Sequence, residues 1–137
     1  YKRQEPYRAF PENMIYETEK GEMVRSKSEV IIANVLYHHR EILEYRYEKP
    51  LELKTKDGKY IVIHPDFTII NKKTGKIYYY EHAGCMSDAK YASDFVKKIN
   101  LYANNNIIQG SQLLVSYEAE DASLDINCVK KLVRSII

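Results

Sequence analysis

Hydrophobic positions along the chain fall into short runs whose spacing changes from one stretch to the next. Val30, Ile31, Ile32, Ala33, Val35, Leu36 and Tyr37 follow Ser26-Lys27-Ser28-Glu29, which has the Ser-x-x-Glu spacing of a capping box, and together they predict a helix over 26–39. Over 45–54, Tyr45, Tyr47, Leu51 and Leu53 alternate with polar residues, a strand pattern in which Pro50 calls for an edge position or a bulge. Lys56-Asp57-Gly58-Lys59 signals a turn. Residues 60–70 and 76–82 are rich in β-branched and aromatic side chains, and Asn71-Lys72-Lys73-Thr74-Gly75 between them has hairpin-loop chemistry. Ser87-Asp88 can cap a second helix with the stripe Ala92, Phe95, Ile99, Tyr102 and Ala103, which Asn104-Asn105-Asn106 ends. Residues 112–117 predict a short buried strand, and Ile126, Val129, Leu132, Val133 and Ile136 a closing amphipathic helix. Residues 1–23 hold neither period and carry Pro6 and Pro11, so an irregular arm is expected there. The expected order over 24–137 is α-β-β-β-α-β-α, one α/β (α+β) domain.

Composition narrows the class without naming a partner. A chain of 137 residues matches the ~150 expected of one domain. An apolar fraction of 45% with only five glycines and four prolines excludes disordered and low-complexity classes. Cys85 and Cys128 cannot form a disulfide framework, and no apolar run approaches the ~18 residues of a membrane span, so a cytoplasmic setting without membrane partners is expected. The net charge of +2 lies far from the strongly basic footprint of a nucleic-acid coat. A chain opening at Tyr1 without methionine is expected to have flanking domains in a longer protein.

The central hairpin carries the candidate chemistry. With a four-residue loop over 72–75, Asn71 faces Lys76, opposed residues have numbers summing to 147, and Asp66 lies across from Glu81. Opposed side chains sit roughly 5 Å apart and like charges there repel, a conflict that a divalent cation relieves and that solvation of both acids relieves equally well. The same register puts His64, Thr68, Ile70, Ile77, Tyr79 and Ala83 on the carboxylate face and turns His82 to the other. Glu29 lines up with Ile32, Ala33 and Leu36 on the helix stripe expected to face the sheet, although a capping box accounts for it without function.

His64-Pro65-Asp66-Phe67-Thr68 on one strand and Tyr80-Glu81-His82-Ala83-Gly84 on the next, behind a helix carrying Ser28-Glu29, resemble the PD-(D/E)XK nuclease superfamily. The resemblance implies a restriction-endonuclease-like core and metal-dependent phosphodiester hydrolysis of nucleic acid, DNA above all. It implies Mg²⁺ or Mn²⁺ held by Asp66, Glu81 and Glu29, with the backbone carbonyl of His82 as a further ligand. The chain departs from the pattern where Glu-x-Lys becomes Glu81-His82-Ala83. Lys98, on the flank of the second helix, and His64, which the register sets across from Ala83, are the candidates to replace that lysine catalytically, and the resemblance favours Lys98.

Among the basic clusters, Arg25 and Lys27 stand next to Glu29 at a helix N-terminus and are the expected phosphate contacts, with Tyr102 a third substrate-binding candidate. The alternative function is a nuclease-fold domain that binds nucleic acid or acts as a scaffold without cutting, motivated by Ala83. A small-molecule or carbohydrate hydrolase using Asp66 and Glu81 as a two-carboxylate pair is disfavoured, because opposed strand residues sit closer than such pairs usually do.

Overall fold

The computed structural model describes residues 14–137. Part of the expected arm, 1–13, lies outside the described residues; the rest of it forms a short ribbon, β1 (Tyr16–Glu17) paired antiparallel with β2 (Met23–Val24). The turn between them closes by hydrogen bonds from Thr18 N to Glu22 O and from Gly21 N to Thr18 O. Gly21 adopts a φ of 98°, where any other residue would be strained. A turn without flanking periodicity left no pattern to read, yet Val24 is completely buried.

Helix α1 (Lys27–His38) starts where expected, with Ser26 as N-cap accepting from Glu29 N at 3.2 Å. The expected strand over 45–54 is two strands. β3 (Leu43–Tyr47) pairs with residues 67–71, whereas β4 (Leu51–Lys54) turns away at Glu48-Lys49-Pro50 to form a separate hairpin with β5 (Tyr60–Ile63). Glu48 marks the break with a φ of 53°, uncommon outside glycine. The expected strand over 60–70 divides likewise, at His64-Pro65-Asp66, before β6 (Phe67–Asn71). Proline cannot donate to a ladder, and in both places it accompanies the change of sheet.

β6 and β7 (Ile77–Ala83) form the expected hairpin in the expected register, Phe67 facing Tyr80 and Ile70 facing Ile77. Asn71 closes the loop, its side-chain oxygen accepting from Lys73 N and Thr74 N. α2 (Ala89–Asn104), capped by Asp88, carries the chain to β8 (Leu113–Tyr117), which lies parallel to β7, and α3 (Ile126–Arg134) follows. The main sheet has the order β3-β6-β7-β8, so the fold is a mixed α+β architecture of three helices on a mixed sheet.

The sheet buries both faces. α1 and α3 cover one, packing Ile32, Leu36, Val129 and Val133 on Phe67, Ile69, Tyr80 and Leu114. α2 and the β4–β5 hairpin cover the other, packing Phe95, Tyr102 and Leu53 on Ala83, Leu113 and Val115. Among the described residues, no helix is long and apolar enough to cross a membrane.

Candidate active site

The connectivity brings several chain ends to one end of the sheet. β3 and β7 finish there, β6 begins there, and the N-terminus of α1 lies beside them, bonded to Tyr47. Asp66 stands one residue before β6, where the ladder stops. Its Oδ2 accepts from His82 N at 2.7 Å, so the carboxylate replaces the next rung. Glu81 is 2% exposed; its Oε2 accepts from the Tyr102 hydroxyl at 2.6 Å and its Oε1 from Lys98 Nζ at 3.3 Å. Lys98 and Tyr102 both belong to α2, four residues apart on one face.

Electrostatics ties these groups into one cluster. Burial, reinforced by the charges of Glu81 and Glu29, pushes the Asp66 carboxyl well above the usual carboxylate range. Burial raises Glu81 as well, opposed by the Lys98 charge and the Tyr102 hydroxyl. Burial pulls Lys98 down, but the Glu81 and Asp66 carboxylates outweigh it and raise it above the ordinary lysine value. Lys98 is therefore a fixed positive charge at neutral pH.

Glu29 is also buried, and the reciprocal arm of its capping box does not form on Ser26. Its Oε1 accepts instead from Arg25 N at 3.2 Å and from the Tyr47 hydroxyl at 3.0 Å. Burial and the nearby Glu48 charge raise its pKa, with Tyr47 opposing. Glu48 had no sequence signal, being a lone acid before Lys49-Pro50, yet it is 1% exposed and receives Arg25 Nε at 2.8 Å and Nη2 at 3.4 Å.

Several expected positions resolve differently. Arg25 points its guanidinium, 12% exposed, at Glu48, so it is a partly buried cation with a structural partner; Lys27, the first residue of α1, is exposed. Tyr102 is fully buried on Glu81, a positioning contact and not a surface for substrate. His64 does not face Ala83. The strand ends before it, and its Nδ1 lies 2.9 Å from the Glu48 carbonyl oxygen, inside the β5–β6 crossing.

His82 faces away from the acids, as the register requires. Its Nδ1 lies 2.6 Å from Ser116 Oγ and its Nε2 2.6 Å from Glu118 Oε1. Glu118 also accepts from Ser28 Oγ at 2.5 Å, so one carboxylate ties the start of α1 to the end of β7. Burial pushes Glu118 up, but the bonds from Ser28 and His82 outweigh it and hold the carboxyl below its ordinary value. Tyr91 completes the rim, its hydroxyl accepting from Gly84 N at 3.0 Å and lying 3.5 Å from the His82 carbonyl oxygen. Glu118 and Tyr91 reach these places only through the parallel pairing of β8 and the α2 crossover, which no local spacing encodes.

Whether a divalent cation fits is decided by the donors. Among the described residues no group of three or more His, Cys, Asp or Glu side chains is placed to hold a metal. Mg²⁺ does not require one, since it usually takes one or two carboxylates and fills its octahedral shell with waters and substrate phosphates. Asp66, just before β6, and Glu81 on β7 are two hard-oxygen donors close together, and Asp66 carries unfavourable like-charge repulsion that a cation would remove. Glu29 is engaged by Tyr47 and the Arg25 amide, Glu81 by Tyr102 and Lys98, and Asp66 by the His82 amide, so a cation at any of these carboxylates would share them with protein donors already in place. Comparison of the chain with protein-family models and with curated proteins yields no match.

Proposed function

We propose that this chain is a divalent-metal-dependent nuclease domain of PD-(D/E)XK type that hydrolyses phosphodiester bonds of nucleic acid, DNA first among them. The observation that supports this reading best is Lys98 Nζ, 3.3 Å from Glu81 Oε1 beside Asp66, a cation brought by α2 to the acids whose own strand offers Ala83. The strand order β3-β6-β7-β8, with α1 before it and α2 between β7 and β8, accords with a restriction-endonuclease-like core.

Asp66 and Glu81 would hold Mg²⁺ or Mn²⁺, which when bound acts as a Lewis acid on a water and on the phosphate. Lys98 stays protonated at neutral pH, so it works by donating hydrogen bonds and charge to an oxygen near the acids and not as a base. Tyr102 fixes the rotamer of Glu81 from the buried side. His82, held on the opposite face by Ser116 and Glu118, anchors the strand that presents Glu81 and its own carbonyl.

The test is cleavage of plasmid DNA, single-stranded DNA and RNA with Mg²⁺ or Mn²⁺ by the wild type, Asp66→Asn, Glu81→Gln and Lys98→Met. Metal-dependent cutting lost in all three variants is the expected result. Binding without cutting under any metal would overturn the enzyme in favour of a non-cutting binding domain, the reading that Ala83 favours.

A further inference from the structure

At the opposite end of α1 and β3 lies a second feature, a cavity of about 470 Å³ where the C-terminal turn of α1, the edge strand β3, the β1–β2 turn and the loop after β6 meet. Lys20, Arg40, Arg46 and Lys72 line it, and the carboxylate among its walls is Glu44. The local balance of +3 (four cations less one acid) exceeds the +2 of the entire chain, so the rest of the sequence is on balance slightly acidic. Glu44 does not offset this, because its contact with Arg46 is 3.6 Å long and more than half exposed on both sides, where such pairs contribute little.

The cations are held in place. Lys72 Nζ donates to Arg40 O at 2.7 Å, and Lys20 Nζ donates to Tyr45 O at 3.4 Å. The Arg40 guanidinium lies 4.4 Å over the Tyr37 ring and the Lys20 ammonium 4.4 Å over the Tyr45 ring. Like charges gathered in this way repel one another, and an anionic ligand relieves that repulsion. A flat guanidinium backed by a tyrosine is a surface on which a nucleobase stacks, and the volume lies within the roughly 300–1,000 Å³ of small-ligand sites.

We infer that this cavity binds a nucleotide unit, the base stacked on the Arg40–Tyr37 pair and the phosphate met by Lys20, Arg46 and Lys72. Resting on the nuclease reading, the unit belongs to the strand being cut. β3, whose residues Leu43 to Arg46 line the cavity, continues to Tyr47, whose hydroxyl reaches Glu29. From the far wall of the cavity at Leu43 to Tyr47 the strand spans roughly 14 Å at ~3.4 Å per residue, so a bound unit lies within about four nucleotides of that end at the ~3.4 Å rise of a stacked strand.

The experiment is fluorescence anisotropy of a labelled 12-residue single-stranded DNA in EDTA, over a salt series, with AMP titrated separately. The proteins are the wild type, Arg40→Glu/Lys72→Glu, and the charge-matched control Lys130→Glu/Lys131→Glu on α3; all four residues are exposed, and thermal melts verify that each variant folds. The expected result is at least ~10-fold weaker 12-mer binding by Arg40→Glu/Lys72→Glu and a salt slope smaller by about 2, with the control near wild type. Equal weakening in the control, or none in either, overturns the site. AMP binding that Arg40→Glu/Lys72→Glu abolishes while the 12-mer is unaffected assigns the cavity to a free nucleotide and overturns the strand path. Cavity-dependent 12-mer binding by a wild type that cuts nothing with Mg²⁺ or Mn²⁺ would leave this site standing while the nuclease reading fails.

Discussion

Replacing Arg25 by methionine discriminates between the role expected of it from sequence and the one it has in the fold. In the fold its guanidinium is the partner of Glu48, which is 1% exposed, with contacts of 2.8 and 3.4 Å. Arg25→Met keeps most of the aliphatic stem and removes the guanidinium from a buried carboxylate beside Glu29. Removing one member of a buried pair typically costs about 3–5 kcal/mol. The expected outcome is thus a loss of about 3 kcal/mol at pH 7, roughly 10 °C in Tm for a chain of this size. Arg25→Met/Glu48→Met, with no charge to strand, should return to within about 1 kcal/mol of wild type at pH 7. Urea unfolding at pH 7, with the slope m checked for constancy, measures both. If Arg25→Met unfolds like wild type at pH 7 while its DNA affinity falls, the pairing argument is refuted and the phosphate role restored.

Three further outcomes follow from the same cluster. Tyr102→Phe removes one hydroxyl bonded at 2.6 Å to Glu81 and should cost about 1.5–3 kcal/mol in urea unfolding at pH 7; an unchanged midpoint would show that Glu81 does not depend on it. Asp66 has a raised pKa in the fold, so between its unfolded and folded values the native state holds the extra proton and stability falls as pH rises. In EDTA, Asp66→Asn should therefore gain stability over wild type at pH 8 and lose that advantage near pH 4, and a pH-independent difference would contradict the placement. Mn²⁺ at about 100 times its Kd should stabilise the wild type by about 2.7 kcal/mol in thermal melts and leave Asp66→Asn unmoved; equal shifts would place the ion elsewhere.

Much of the hairpin and of the helix starts was legible because their determinants are local. Ser26 and Asp88 cap helices by hydrogen bonds to amides three residues on, and Asn71 closes a loop within three residues, which set the β6–β7 register and with it the place of Asp66 beside Glu81. The alternation of side chains likewise turned His82 from the acids. The breaks at Glu48 and at His64-Pro65-Asp66 were not legible, since each strand's pattern continues through them and only pairing partners divide it. Arg25 with Glu48, Lys98 and Tyr102 with Glu81, and Ser28 with Glu118 are separated by 23, 17, 21 and 90 residues. The basic cavity gathers Lys20 and Lys72 from distant turns. Such contacts carry no spacing signal, because burial and charge compensation choose among distant partners only after the sheet has brought them together. By itself the sequence determined the helices, the hairpin register and the opposed acids; the tertiary structure decided which cation neutralises which acid and where the excess positive charge collects.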